Sequence, residues 1–218
     1  MGMLVRAAPW VNQEFTEEFT TLDDQDKWFY ATTDGVLPWI YIDQLVAGDV
    51  NAGTLKNFAY VLLRNYQLRT DKFSFGFTTG YQNGTGTLNL ETRLIVMRNS
   101  LAPNTAPPKN RATYLDIART AGYFRSTNTA GVQTSATLSS VTNVTNIAWE
   151  VRVNGASWAI YRNGVLNSTR TDPNGAVPFT SGDFYVGIGL SSNRSWGGVK
   201  DWSPRVQRWW FKETGAPS

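Results

Sequence analysis

Cysteine and histidine are both absent from this 218-residue chain. Their absence excludes disulfide bonds, Cys/His zinc sites, cysteine nucleophiles and every catalytic triad that depends on histidine. Any catalysis would have to rest on carboxylates, lysine, tyrosine or serine. The composition therefore removes several common enzyme designs before any motif is considered.

Long apolar runs are also missing. The longest covers residues 58–63, whereas a membrane span needs roughly 20 residues. The first fifteen residues lack the continuous apolar core of a signal peptide, and Arg6 stands where a myristoylation motif has Ser or Thr. We therefore expect synthesis in a cytosol and no insertion into a membrane.

Charge is sparse, at 17% of residues, and the net charge is only +3. Lysines and arginines are spread along the chain, whereas a nucleic-acid-binding protein usually clusters its cations on one element. The pattern indicates solvated strand faces and predicts no nucleic-acid partner.

Aromatic residues, in contrast, are abundant. Nine Trp, nine Tyr and eleven Phe accompany 19 Gly, a mixture typical of a β-rich protein with many turns. The length suits one all-β sandwich or two small domains.

The clearest local pattern covers residues 146–166. Alternation of Trp149 and its apolar neighbours with polar residues predicts a strand, and Trp158 begins a second one. Asn154-Gly155 predicts a type I′ hairpin turn between them, and Asn163-Gly164 predicts another turn. The segment is therefore predicted to form a three-stranded antiparallel meander with its tryptophans in the core.

Similar alternation predicts strands along most of the remaining chain. They cover residues 15–19, 39–42, 73–77, 88–97, 114–124, 184–190 and 206–212. The continuous apolar run 58–63 could be a helix by composition, but its short length and the strand pattern that follows it favour a buried strand. The Ser/Thr-rich residues 126–146 are typical of a loop or a weak edge strand. The Pro-rich residues 99–110 are either a domain boundary or a long surface loop; we favour the loop, because neither half alone supplies enough strands for two closed sheets. The prediction is an all-β, two-sheet antiparallel sandwich over residues 15–214, preceded by an N-terminal arm, 1–14.

Four stretches in order carry a family resemblance: EFTEEFTTLDDQDKW, FSFGFTTG, ASWAIYRNGVL and YVGIGLSSN. Together they resemble the concanavalin A-like lectin/glucanase jelly roll, including laminin-G-type modules. The style of the chain also resembles minor tail and decoration proteins of actinobacterial phages. The resemblance implies a jelly-roll fold and a recognition role.

The resemblance does not supply an active site. Glycosidases of this superfamily carry a Glu-x-Asp-x-(x)-Glu strand, and no such spacing exists here. Glu91 and Glu150 each stand alone in a strand, which predicts a structural or salt-bridge role. We expect no catalytic residue and no cofactor.

An acidic cluster and several loop tryptophans are the candidate binding residues. Asp23, Asp24 and Asp26 suit either calcium or, as we favour, a solvated acidic turn. Trp39, Trp196 and Trp202 stand beside turn residues, where flat rings stack on sugars or, alternatively, close the open ends of the sandwich.

The arm contains apolar residues that are poorly placed in water: Met3, Leu4, Val5 and Trp10. Burial against a neighbouring subunit explains them by strand addition; the alternative is that the arm packs on its own domain. The first explanation predicts a homo-oligomer.

These observations favour a non-enzymatic phage virion protein, in the tail or on the capsid surface, that contacts other virion proteins and a host-surface glycan. A virion protein is made in a cytosol and works outside it, which reconciles a recognition fold with the lack of disulfides. A stand-alone carbohydrate-binding module is the alternative, and a polysaccharide hydrolase is less favoured.

Overall fold

The structure is a computed structural model that describes thirteen parts of the chain. They are residues 11–19, 28–32, 39–40, 45–46, 57–63, 66, 68–79, 91–98, 111–118, 121–138, 146–175, 184–192 and 205–215. These parts contain fifteen strands and no helix, so no described helix is available to cross a membrane. The strands form two antiparallel sheets.

Sheet A has eight strands. Along the sheet they are β13 (Val165–Thr171), β12 (Ser157–Arg162), β11 (Ala148–Asn154), β6 (Lys72–Thr79), β15 (Arg205–Glu213), β4 (Leu45–Val46) and β3 (Trp39–Ile40), while β1 (Glu14–Glu17) also pairs with β15. The first and last strands of the described chain are therefore neighbours.

Sheet B has seven strands. Their order is β10 (Gln133–Thr137), β9 (Gly122–Thr127), β8 (Ala112–Ile117), β7 (Glu91–Arg98), β14 (Phe184–Ser192), β5 (Asn57–Leu63) and β2 (Trp28–Thr32). β10 lies at the edge of this sheet, which confirms the prediction of a weak edge strand after residue 126. The apolar run 58–63 is a strand, as predicted.

The core lies between the sheets. In sheet A, alternate residues of β6 point inward, and Phe73, Phe75 and Phe77 are fully buried. Trp149 and Trp158 of the meander are buried beside them. The same aromatic-rich alternation that predicts these strands therefore also supplies the core of the sandwich.

The meander is present, but its first turn differs from the prediction. Asn154 pairs with Ser157, so the turn residues are Gly155 and Ala156. Only Gly155 has a positive φ, of 60°, which fits a type II′ turn; the type I′ prediction was wrong because Asn154 extends the strand. The second turn is type I′, since Asn163 and Gly164 have φ values of 48° and 77°.

One glycine is required by a close backbone approach. A Cβ on Gly187 of β14 would lie 2.1 Å from the Val61 carbonyl oxygen of the neighbouring β5. No other residue fits there without movement of the backbone. The backbones of β14 and β5 therefore approach closely at a position where only glycine fits.

The two-sheet antiparallel sandwich is thus confirmed. The single domain over residues 15–214 stays a prediction, and the Pro-rich residues 99–110 lie outside the described parts of the chain.

Candidate functional site

Most residues that the sequence proposes for binding lie outside the described residues. This holds for Asp23, Asp24, Asp26, Trp196, Trp202, Met3, Leu4, Val5 and Trp10. For Trp39 and Glu91 the structure describes the backbone only, within β3 and β7. The roles assigned to all of them stay predictions.

A tryptophan that the sequence did not single out lies on the outer face of sheet A. In β15, Trp209 points into the core and Trp210 points outward. The indole of Trp210 lies against Gly76 of the neighbouring β6, where an added Cβ would be 2.2 Å from Trp210 Cζ2. The glycine therefore lets the large ring lie close to the sheet while part of it stays exposed.

A carboxylate, a guanidinium and a tyrosine lie on β11 and β12, on the same face of the sheet. Arg152 Nε donates to Glu150 Oε1 at 2.7 Å, and the guanidinium carbon of Arg152 is 4.1 Å from the centre of the Tyr161 ring. The hydrogen bond to Glu150 raises the pKa of Arg152 above its usual value. The salt-bridge role predicted for Glu150 is confirmed.

Strand register places these groups in one line. Tyr161 pairs with Glu150, Glu150 with Gly76, and Gly76 with Trp210. We call these four residues the sheet A row. Neighbouring strands are about 4.8 Å apart, so the row spans about 14 Å. An aromatic ring lies at each end, and Glu150, paired with Arg152, lies between them.

Two further ion pairs lie on this face. Lys212 Nζ lies 3.1 Å from Glu14 Oε2, and Arg208 Nε lies 3.0 Å from Glu18 Oε1. The guanidinium of Arg208 is 5.9 Å from the Trp210 ring centre. Because most charges of this face are paired with an opposite charge, the surface around the row suits a neutral polar ligand better than a polyanion.

The outer face of sheet B has a different character. Asp116 of β8 lies between two arginines, with Oδ1 at 3.5 Å from Arg93 Nε and Oδ2 at 3.1 Å from Arg125 Nη1. Arg93 also lies over the Tyr114 ring at 4.8 Å, and the Gln133 amide donates to the Tyr114 hydroxyl. Burial raises the pKa of Tyr114, and Asp116 raises it further.

This network is closed to solvent, although it faces away from the main core. Asp116 and Tyr114 are fully buried, and Arg93 nearly so. A second apolar cluster surrounds them, formed by Leu62, Ile95, Met97, Ala112 and Tyr114, with Tyr185 packed against it. The buried charges therefore hold neighbouring strands together and are not open to a ligand. The sheet A row, which is partly exposed, is the candidate site.

A third polar cluster joins the two sheets. Asp172, just after β13, accepts hydrogen bonds from Thr113 at 2.6 Å and Ser126 at 2.8 Å in sheet B, and Arg111 Nη2 lies 3.2 Å away. Residues 172–175 form a turn, in which Gly175 N donates a hydrogen bond to Asp172 O. These contacts satisfy the buried carboxylate and give it a structural role.

Among the described residues, no group of three or more acidic side chains is arranged to hold a metal ion. The calcium candidates at Asp23, Asp24 and Asp26 are outside this set.

Two features of the sequence indicate the sheet A row: the pair Trp209-Trp210 and the glycine at position 76. In a strand, Trp209-Trp210 must point to opposite faces, so one of the two rings leaves the core. Gly76 interrupts the outward-facing positions of a strand whose first three inward positions are all Phe. An outward tryptophan and an outward glycine predict a ring lying on the sheet only when the two strands are known to be neighbours.

Comparison with known proteins links the fold to carbohydrate-active proteins. No model of a known protein family matches the chain, and no curated protein matches it significantly. Solved structures do match. The carbohydrate recognition domain of Emp47p superposes with a TM-score of 0.61 at 12% identity, covering 93% of this chain and 95% of that one.

Two glucanases are similar to the same extent. The endo-1,3-beta-glucanase from Streptomyces sioyaensis has a TM-score of 0.57 at 10% identity and covers 96% of this chain and 99% of its own. The laminarinase catalytic domain from Thermotoga maritima has a TM-score of 0.54 at 9% identity, with coverages of 93% and 98%. At such identities the likeness establishes the fold alone, a concanavalin A-like jelly roll, as the sequence resemblance implied.

Proposed function

We propose that this protein binds a neutral glycan on the sheet A row and does not cleave it. The observation that carries the proposal is the partly exposed Trp210 ring on Gly76, in line with Glu150 and Tyr161. Aromatic rings offer a flat apolar surface for the C–H face of a sugar. The charged pair between the rings offers donors and acceptors for hydroxyl groups.

The fold supports a carbohydrate ligand. One similar structure is a carbohydrate recognition domain, and two others are glucanases. All three are named for a carbohydrate that they recognise or cleave. A glycan-binding role relies on that shared class of ligand and does not assume cleavage, which only the glucanases perform.

Two carboxylates in the middle of described strands are placed in a way that supports binding without cleavage. Glycoside hydrolysis generally uses two carboxyl groups roughly 5–10 Å apart on either side of the scissile bond. Here Glu150 faces out from sheet A beside Arg152, and Asp116 faces out from sheet B between two arginines. The two groups lie on opposite sides of the sandwich and cannot flank one bond.

The binding test is calorimetry with a panel of neutral β-glucan and mucin-type oligosaccharides. We expect at least one to bind the wild type, and Trp210→Ala to weaken that binding on the order of tenfold or more. Val165→Ala is the matched control, because Val165 is exposed on sheet A but lies outside the row. Equal binding by wild type and Trp210→Ala would place the site elsewhere, and no binding to any glycan would contradict the function.

The catalytic test is release of reducing ends from the same glycans. We expect none. Release that disappears in Glu91→Gln or Glu150→Gln would overturn the non-catalytic part of the proposal.

We further propose that the protein is a structural component of a phage particle, in the tail or on the capsid surface, where it contacts other virion proteins and copies of itself. The sequence resemblance and the absence of cysteine support this setting. Mass spectrometry of purified particles should detect the chain in stoichiometric amount. Its absence from particles would favour the alternative, a stand-alone carbohydrate-binding module.

A further inference from the structure

The last residue of β15 is a fully buried carboxylate that collects four hydrogen bonds. Glu213 Oε1 accepts from the Tyr66 hydroxyl at 2.5 Å and from Arg69 Nε at 2.8 Å. Its Oε2 accepts from Arg69 Nη2 at 3.0 Å and from the backbone N–H of Gln13 at 2.8 Å. Such charge-assisted hydrogen bonds are among the strongest that a protein makes.

These bonds connect parts of the chain that are far apart in sequence. Gln13 precedes β1, Tyr66 and Arg69 lie between β5 and β6, and Glu213 ends β15. Gln13 and Glu213 are joined twice, because the backbone N–H of Glu213 also donates to Gln13 O at 2.9 Å. Arg69 also contacts a residue nearer the N-terminus, because its Nη2 donates to Val11 O at 3.3 Å.

An aromatic contact accompanies the polar one. Phe15 of β1 is half-buried, with ring centres 5.2 Å from Tyr66 and 6.2 Å from Phe211. Tyr66 therefore contacts the N-terminal segment through its ring and Glu213 through its hydroxyl.

Apart from these contacts, the N-terminal segment is held by one short strand and by the exposed Glu14–Lys212 ion pair. β1 has four residues, and β15 is its pairing partner among the described strands. β15 is also paired with β6, from Val206 to Glu213. A short edge strand with half-exposed side chains can open locally while the rest of the domain stays folded.

We propose that Glu213 is a latch that holds residues 11–17 on the domain, and that loss of its charge releases this segment as one unit while the other strands of both sheets stay folded. The inference does not depend on glycan binding.

The electrostatics of the latch agree with this role. Burial by itself would raise the pKa of Glu213, but the hydrogen bonds from Arg69, Tyr66 and Gln13 lower it below its usual value. Burial and the nearby carboxylate raise the pKa of Tyr66, so its hydroxyl remains a donor. Among the described residues, Tyr66 and Arg69 are the ionisable groups at the carboxylate; β1 and β6 bring Phe15 and Phe73, which are uncharged.

The test is hydrogen exchange of the full chain with Glu213→Gln. Glutamine has nearly the same shape as glutamate, but its amide nitrogen is a hydrogen-bond donor. It must therefore face one of the donors that bind the Glu213 carboxylate in the wild type. We expect exchange in residues 13–17 to accelerate on the order of tenfold or more, with the meander unchanged. Asp172→Asn is the matched control, since Asp172 is also a buried carboxylate that contacts an arginine; it should leave residues 13–17 protected.

Hydrogen exchange of the wild type in acid is a second test of the latch. It takes the place of the first test if the Glu213→Gln variant does not fold. Because the folded-state pKa is lowered, the latch is complete above the ordinary glutamate pKa of about 4.3 and is lost as the pH falls through the lower folded value. Protection of residues 13–17 should therefore be lost in acid before that of the meander. Simultaneous loss of protection in all strands, or unchanged protection of 13–17 in Glu213→Gln, would overturn the proposal.

Discussion

The outer faces of the two sheets are built from the same kind of alternating strands but differ in their contact with water. On sheet A, the Arg152 side chain of the Arg152–Glu150 pair is 54% exposed. On sheet B, Asp116 is fully buried between its arginines. Outward direction in a strand is therefore not the same as exposure.

This difference separates binding from stability. An exposed ion pair contributes roughly 0–1 kcal/mol to folding, because water competes for both charges. Breaking a buried pair costs roughly 3–5 kcal/mol, because one charge is left without its partner in a poorly solvated place. Substitutions on sheet A should therefore change ligand binding, and substitutions on sheet B should change the free energy of unfolding.

The largest expected effect is on sheet B. Asp116→Asn should lower the free energy of unfolding by roughly 3–5 kcal/mol, since two buried arginine contacts lose their negative partner. Urea denaturation of the variant and the wild type measures this difference. A loss of unfolding free energy below about 1 kcal/mol would show that this face is as accessible to water as the outer face of sheet A. The two faces would then not differ in solvent exposure.

Gly76→Ala should have an intermediate effect on sheet A. The added Cβ would lie 2.2 Å from Trp210 Cζ2 and 2.5 Å from the Trp149 carbonyl oxygen, and such overpacking costs roughly 1–3 kcal/mol. Because the Trp210 ring must move, glycan binding should weaken in the same variant. Calorimetric binding and thermal unfolding measure the two effects.

A double variant shows whether the ring is responsible. In the Trp210→Ala background, Gly76→Ala should cost less than it does in the wild type, because one of the two clashes is gone. An equal cost in both backgrounds would assign the whole effect to the backbone contact and would separate Gly76 from the row.

The smallest expected effect is that of the exposed pair. Glu150→Gln should change the free energy of unfolding by less than about 1 kcal/mol, and added salt should reduce the difference further. Denaturation at low and high ionic strength measures both. A salt-independent loss above about 2 kcal/mol would mean that the pair is buried in solution, and the sheet A row could not serve as an open binding site.

Much of the fold follows from local pattern. Alternation predicts the meander, the Phe strand β6 and the burial of Trp149 and Trp158, and the short apolar run predicts the buried strand β5. The structure confirms all of these. The type I′ turn at Asn154-Gly155 was wrong by one residue, because turn register depends on which residues pair across the hairpin and not only on which tolerate a positive φ.

The candidate site was less predictable. Loop tryptophans break the alternation and therefore stand out in the sequence, whereas Trp210 lies within an alternating strand. Gly76 and Glu150, which belong to the same row, are about 134 and 60 residues away from it in sequence and join the row only through sheet pairing.

The sequence by itself determined the strands, the all-β class and the residues that point toward the core, because side-chain direction alternates with a period set by the backbone. It also determined what this chain cannot use, since missing cysteine and histidine are missing in every conformation. Only the tertiary structure decided which outward faces are covered, which arginine contacts which carboxylate, and that Gln13 meets Glu213. Those outcomes depend on contacts between distant segments, and a local pattern carries no information about which distant segment arrives beside it.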